Sequence, residues 1–179
     1  PPLPRSSIVV DAARDGDRTQ LLRMRAPAGM VEGRRDRPDA RHRAAAARGE
    51  VPVCAVIVGP VGTVLAKAGN STRELNDPTA HAEIVAIREA CTALGQERLT
   101  GSDLYVTLEP CAMCAAAISF ARVRRLYFGA SDPKGGGVEH GARVFSQTTC
   151  HHVPEIYSGI GGEEAAALLK AFFVERREG

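Results

Sequence analysis

Two short motifs constrain this chain more than any other feature: His81-x-Glu83, and Cys111-x-x-Cys114 directly after Pro110. The first opens the amphipathic pattern HAEIVAIREACTALG, and the second opens the alanine-rich pattern CAMCAAAISFAR. Both motifs are therefore predicted at the N-termini of helices. The positive end of a helix dipole favours a thiolate, and two cysteines one turn apart suit a soft divalent metal such as zinc.

The segments around these motifs predict an α/β fold. VPVCAVIVG and TVLAKAGN are predicted as a β-hairpin joined by a Gly and Pro turn. The helix that follows is predicted to have an apolar face made of Ile84, Ile87, Cys91 and Leu94. SDLYVTLEP and RRLYFGA are predicted strands on either side of the second helix, which gives a βαβ unit. PEIYSG is a weak candidate for an edge strand, and EEAAALLKAFFVERR is predicted to close the chain as a helix.

The length and composition of the chain predict one soluble domain. Residues 1–37 have no steady period and are predicted as an extended or disordered lead-in, with a domain over 38–179 that starts with a short helix in DARHRAAAARG. No run approaches the roughly 18 apolar residues of a membrane span, and the first residues lack the apolar part of a signal peptide. A cytoplasmic protein with no membrane contact is expected.

The five cysteines are expected to serve a metal or catalysis rather than disulfides, because the cytoplasm is reducing. With His81 as a third ligand beside Cys111 and Cys114, a tetrahedral zinc would keep one position open for water, as catalytic sites do. Glu83 is placed to take a proton from that water and pass it to a leaving nitrogen. Two alternatives remain: a redox dithiol, and a structural zinc with a fourth ligand from Cys91, Cys150, His151 or His152.

The combination of H-x-E with P-C-x-x-C is the signature of zinc deaminases. More narrowly, HAEIVAIREA, DLYVTLEPCAMCAAAI, RLYFGA and DPKGG resemble the bacterial tRNA-specific adenosine deaminases, over about Gly49 to Arg177. The resemblance implies a three-layer α/β/α fold with a mixed five-stranded sheet, and a homodimer with one zinc per subunit. It also implies conversion of the wobble adenosine of a tRNA anticodon stem-loop to inosine.

Further site residues come from the resemblance alone. It implies that Asn70 contacts the flipped base and that Val51 and Pro52 line its pocket. It also places Asp132 and Lys134 in a loop that meets anticodon nucleotides. At the closing helix it implies RNA contacts from these residues: Phe172, Arg176 and their neighbours Phe173 and Arg177. The alternative is that Phe172 or Phe173 belongs only to the core and that the arginines form a solvated helix end.

Two other functions fit the zinc signature. One is a free-base or nucleoside deaminase acting on guanine, cytosine or cytidine. The other is a non-catalytic zinc-containing module that binds RNA, which an intact Glu83 disfavours. The glycines at 135–137 are not followed by a helix, so a mobile turn is expected there rather than a phosphate cradle.

Overall fold

The computed structural model describes residues 45–46 and 49–178, without the side chains of 164 and 175–178. The predicted lead-in over 1–37 lies outside this range. So does most of the helix predicted from Pro38, of which residues 45 and 46 are described and helical. Within the described residues, no helix is both long enough and apolar enough to cross a bilayer.

Five strands and three helices make up the described fold. The strands are β1 (Cys54–Val58), β2 (Val64–Gly69), β3 (Asp103–Leu108), β4 (Arg125–Ala130) and β5 (Glu155–Tyr157). The helices are α1 (Ala82–Leu94), α2 (Ala112–Phe120) and α3 (Gly162–Glu178), with a 3-10 turn at Val144–Ser146. Each of the five strands and three helices lies where the sequence predicts it, whereas the 3-10 turn was not predicted.

The strands form one mixed sheet in the order β2-β1-β3-β4-β5. β1 pairs antiparallel with both β2 and β3, whereas β3–β4 and β4–β5 are parallel pairs. The predicted hairpin and the βαβ unit through α2 are therefore confirmed. So is the predicted α/β/α fold with a five-stranded mixed sheet, in which α1 contacts β1 and β2 while α3 contacts β3 and β4.

The face that α1 turns to the sheet matches the prediction in part, because Ile84 is buried and Ile87 and Cys91 pack against the core. Leu94 is 41% exposed, and Ile87 and Cys91 are only half-buried. The buried positions of the helix are Ala82, Glu83, Ile84, Ala86 and Ala90. The alanines recur every four residues and pack on strands that also present alanines, among them Ala66 and Ala68 of β2. Small residues on both sides let the helix axis approach the sheet closely, and Glu83 is buried at its first turn.

A ladder of three stacked tyrosines crosses the other half of the sheet. Tyr105, Tyr127 and Tyr157 are in register on β3, β4 and β5. Their ring centroids are separated by 4.5 Å and 4.8 Å, and the neighbouring rings are nearly parallel. The outermost ring, Tyr157, is 39% exposed. The tyrosine ladder thus joins the short edge strand β5 to the centre of the sheet by side chains as well as by hydrogen bonds.

Candidate metal centre

Two neighbouring helix starts bring the motif residues together. His81 is the residue before α1 and Cys111 the residue before α2, both with extended backbone, and Cys114 lies in the first turn of α2. Because α1 and α2 pack against each other, the two starts meet. The Sγ atoms of Cys111 and Cys114 each lie 3.6 Å from Nδ1 of His81.

The spacing of these three atoms fits a tetrahedral zinc. Zn–S bonds of about 2.3 Å and Zn–N bonds of about 2.0 Å would put nitrogen and sulfur about 3.5 Å apart. The three ligand atoms lie within 4.8 Å of one another, and no other group of this kind occurs in the part of the chain that the structure describes. A site with three such ligands leaves the fourth position open.

The histidines and cysteines proposed for a structural site lie elsewhere. The thiol of Cys150 donates to the carbonyl of His152 at 3.2 Å, and the ring of His152 bonds the carbonyl of Val123 at 2.6 Å. His151 is exposed and lines a different groove. Cys91 is half-buried in the second half of α1, far along the helix from His81. The described residues therefore provide the open arrangement and not a closed four-ligand one.

Electrostatics within the site favour a thiolate. The Cys114 thiol hydrogen-bonds Cys111 and, with the His81 ring, lowers the pKa of Cys111 to about 4. The same interaction raises the pKa of Cys114, with burial adding to it. The pKa of His81 is raised, chiefly by its hydrogen bond to Cys111. A divalent cation would supply the positive charge that two thiolates need.

Glu83 is the unusual carboxyl of the site. It is 3% exposed, and its Oε2 atom is buried without a hydrogen-bond partner among the described residues. Burial raises the pKa of Glu83 to about 6. A carboxyl whose pKa lies near neutrality, with one free oxygen beside metal ligands, is equipped to take and return a proton.

The loop 71–80 leads from β2 to His81 and is closed at its ends by a hydrogen bond from Ser71 N to Ala80 O, at 3.0 Å. This bond brings the buried Asn70 next to the His81 turn. Pro52 is buried and Val51 is half-buried, and both lie on the segment just before β1. The N–H of Asn70 donates to the carbonyl of Val53 in this segment. Backbone hydrogen bonds thus connect the segment with Val51 and Pro52 to Asn70, and the residue after Asn70 to the residue before His81.

Glu109 is a functional candidate that sequence reasoning missed. Its side chain is fully shielded from solvent, and it lies two residues before Cys111. Its carboxylate accepts four backbone N–H bonds from the loop after β4, together with a bond to the His140 ring at 2.7 Å. These bonds outweigh the effect of burial and lower the pKa of Glu109 to about 2. The sequence held no signal for this role beyond a glutamate inside LEPC.

The loop held by Glu109 carries Asp132 and Lys134. One carboxylate oxygen of Asp132 accepts from the N–H groups of Lys134 and Gly135 at 3.1 Å and 3.0 Å, so it shapes the loop itself. Lys134 is exposed. The glycines have a packing role that was not predicted: a Cβ at Gly136 would lie 2.5 Å from the Glu109 carboxyl. They permit close contact with the Cys111 turn.

The last predicted residues lie on the closing helix α3 and differ in exposure. Phe172 is 8% exposed, with its ring edge-on to that of Phe173 at 5.5 Å. Phe173 is 47% exposed. The side chain of Arg176 lies outside the described residues. Burial of Phe172 agrees with the alternative that it belongs to the core, and the exposed aromatic ring of this pair is that of Phe173.

Comparisons with known proteins find a family and several relatives that are similar to this chain. Residues 38–130 match the family described as the cytidine and deoxycytidylate deaminase zinc-binding region. The chain is 67% identical over 135 residues to the tRNA-specific adenosine deaminase of Agrobacterium fabrum, which covers 75% of this chain and 88% of that protein. A solved structure from a study of A-to-I editing by tRNA:A34 deaminases at the wobble position of transfer RNA has a TM-score of 0.71. The two sequences are 66% identical, and the match covers 72% of this chain and 93% of the solved chain.

A guanine deaminase from Nitrosomonas europaea is a more distant structural neighbour. Its TM-score is 0.65 over 93% of this chain and 98% of that chain, but only 20% of residues are identical. At that identity the likeness concerns the fold alone.

Proposed function

The chain belongs to the cytidine and deoxycytidylate deaminase family, and we propose that it is a zinc-dependent hydrolase that converts adenosine to inosine at the wobble position of tRNA. The observation that carries the proposal is the pairing of an open three-ligand centre with the buried, partly unpaired Glu83. A non-catalytic RNA-binding module would have no use for a carboxyl held in this state. A tRNA substrate supports the proposal that the enzyme is cytoplasmic.

His81, Cys111 and Cys114 would hold the zinc, which when bound supplies a Lewis acid that lowers the pKa of a water molecule to about 7. Glu83 then accepts a proton from the attacking water through Oε2. It returns that proton to the amino nitrogen as ammonia leaves C6 of adenine. Burial keeps this carboxyl away from bulk water, so the proton it takes remains available for the leaving group.

A base in tRNA is favoured over a free base on two grounds. The 67% identical relative is named for tRNA, whereas the guanine deaminase shares the fold at 20% identity. A base in an anticodon loop is also unstacked at little cost, and its attacked carbon can then reach a buried centre. The substrate we propose is therefore the anticodon stem-loop.

Contacts to that substrate fall into two groups in the proposal. Asn70, with an amide that can both donate and accept, would orient the flipped base, and Val51 and Pro52 would wall its pocket. The loop with Asp132 and Lys134 would meet the neighbouring nucleotides, with Lys134 as a phosphate contact. Arg176 would add charge from α3, while the buried Phe172 would support that helix and leave Phe173 to face RNA.

The enzyme is proposed to act as a homodimer. Phe120, at the end of α2, is 74% exposed, so a large apolar ring faces solvent beside a groove. It borders a groove of about 540 Å³ with walls from α1 and α2, including Ile84, Ile87 and Ala117. Ultracentrifugation should give the mass of a dimer, and Phe120→Ser should give a monomer. Phe173→Ser, a matched loss of an exposed ring on α3, should remain dimeric; a monomeric wild type would contradict the proposal.

The decisive experiment incubates zinc-loaded protein with an anticodon stem-loop that carries a wobble adenosine, and then analyses the nucleosides by mass spectrometry. Free adenosine, cytidine and guanine are tested as alternative substrates in separate reactions. Inosine from the RNA alone is expected. A product from a free base alone would instead identify a small-molecule deaminase.

The ligand set is tested by metal content. Cys114→Ser should lose bound zinc and all activity, because a buried serine is a poor ligand for this ion. Cys150→Ser is the matched control, since Cys150 bonds Ser119 and the carbonyl of His152 instead. It should retain one zinc per chain. Equal zinc in both variants would contradict the ligand assignment.

A further inference from the structure

The carboxylate of Glu109 closes the loop 132–140 from both ends. Oε2 accepts the N–H of Asp132 at 3.0 Å, at the start of the loop. Oε1 accepts the N–H groups at its end, from Val138, Glu139 and His140, at 3.2, 2.9 and 2.9 Å. With the His140 ring at 2.7 Å on Oε2, one buried side chain satisfies five donors. We call these contacts the Glu109 clasp.

The same loop is bonded to the turn that carries Cys111. Gly137 N donates to Pro110 O at 2.8 Å, and Cys111 forms an isolated bridge with Gly136. The glycines let the two backbones touch, since a Cβ at Gly137 would lie 2.5 Å from Ala112 N. The loop therefore lies against the metal centre and leaves Lys134 exposed at its tip.

From this geometry we propose that Glu109 is a positioning residue for RNA: it holds the loop 132–140 in the shape that presents Lys134 and Asp132 to the anticodon stem-loop. The proposal rests on the proposed function. The Glu109 side chain has no exposed surface with which to touch a nucleic acid. It acts through the backbone of the loop, so its effect belongs to substrate affinity and not to the chemical step.

Loss of the clasp should loosen the loop strongly. Four buried or half-buried N–H groups depend on this one acceptor, and a neutral amide in its place would turn donors toward donors. A charged acceptor also makes stronger hydrogen bonds than a neutral one. The ordered loop lowers the entropy that RNA binding must remove, and without the clasp that ordering would be required at each binding event.

The test uses full-length, zinc-loaded Glu109→Gln. Hydrogen exchange of the peptide over 131–141 should be at least about tenfold faster than in the wild type, because the exchange-protecting acceptor is weakened. With the stem-loop as substrate, KM should rise about tenfold while kcat changes by less than about threefold. Zinc content should stay at one per chain. Glu139→Gln is the matched control, because its side chain is exposed and only its backbone joins the clasp; its KM should stay within about threefold.

The outcomes separate this proposal from the proposed function. A wild type that makes no inosine would overturn both. A wild type that makes inosine, with unchanged KM and exchange in Glu109→Gln, would overturn this proposal alone. A fall in kcat with loss of zinc at constant KM would also overturn this proposal, because Glu109 would then support the Cys111 turn and not RNA binding.

Should Glu109→Gln fail to fold, His140→Ala carries the test. It removes the 2.7 Å ring contact at a side chain that is 37% exposed, and it keeps the four backbone bonds. Exchange over 131–141 and KM should both rise about threefold, with zinc and kcat retained. Unchanged exchange and KM in His140→Ala would overturn the proposal.

Discussion

Glu83 and Glu109 are placed almost symmetrically, one two residues after His81 and the other two residues before Cys111. Both are buried, with 3% and 2% of their surface exposed. Burial raises the pKa of Glu83 to about 6, yet the pKa of Glu109 is lowered to about 2. Their hydrogen bonds explain the difference: Glu109 satisfies five donors, whereas Oε2 of Glu83 has no partner among the described residues.

The contrast teaches that burial by itself does not fix the state of a carboxyl. Burial penalises the charge in both places, and only preorganised N–H donors repay that penalty. Where the donors are present, the carboxylate is a permanent part of the structure. Where one oxygen lacks a donor, as Oε2 of Glu83 does, the carboxyl can change its protonation at low cost, as a proton-transfer group must.

The largest expected effect is on turnover in Glu83→Gln. The amide fills the same space but cannot carry a proton, so deamination should slow by about 1,000-fold. Stability should not fall, since the variant removes a buried group that prefers to be neutral. Nucleoside mass spectrometry, zinc analysis and urea unfolding measure the three quantities. A loss of rate below about tenfold would remove the distinction between the two glutamates.

The second effect is on acid stability. The pKa of Glu109 falls from its usual 4.5 to about 2 on folding, so between these values the unfolded chain binds more protons than the folded one. Stability from this group is therefore present above about pH 4.5 and is lost as the pH falls toward 2. The wild type should lose about 3 kcal/mol of its advantage over Glu109→Gln across that window. Urea unfolding of both proteins at several pH values measures it, and a constant difference would contradict the assignment.

A third, smaller effect is expected in Gly136→Ala, which strains the clasp without altering the carboxyl. The new Cβ would lie 2.5 Å from the Glu109 carboxyl and 2.6 Å from Asp132 O. Overpacking of this kind costs about 2 kcal/mol. Gly62→Ala separates this cost from a general effect of alanine, because no atom lies within 4 Å of its added Cβ, although its positive φ adds local strain. Only Gly136→Ala should speed exchange over 131–141.

The smallest effect concerns an exposed glutamate. Glu155 accepts bonds from Arg125 at 2.8 Å and from the Tyr157 hydroxyl at 2.9 Å, and Arg125 lowers the pKa of Glu155. Its side chain is 53% exposed, so water competes for the same bonds. Glu155→Gln should leave the midpoint of thermal unfolding unchanged within error. A clear fall in that midpoint would mean that a lowered pKa signals stability even without burial.

The elements of the fold were predictable because each has its own period in the sequence. The edge strand β5 was found from three residues that follow a proline. The packing face of α1 was predictable only in part: Ile84, Ile87 and Cys91 do contact the core, but the sequence pattern did not identify the buried alanines between them. The alanines of α1 pack on a strand that also presents alanines. The sequence of a helix or of a strand does not by itself show which helix packs on which strand.

The site divides in the same way. The grouping of His81, Cys111 and Cys114 could be predicted because each motif lies within one helical turn, and comparison with zinc deaminases identified the pattern. The role of Glu109 could not, because its partners lie 23 to 31 residues further along the chain and are mostly backbone N–H groups. Any residue type can supply those donors, so no motif records them. The glycines at 135–137 lie in a turn as expected, but the close packing of Gly136 on Glu109 and of Gly137 on Ala112 could not be predicted from the sequence.

The tyrosine ladder gives the protein an optical probe of its own. The chain has no tryptophan and three tyrosines, and all three rings belong to the ladder. Ultraviolet absorbance, near-ultraviolet circular dichroism and intrinsic fluorescence therefore all report on the same stack. Fraying of β5 would separate Tyr157 from its neighbour and change these spectra while the rest of the sheet stayed intact. The edge of the sheet can be followed in solution without a label.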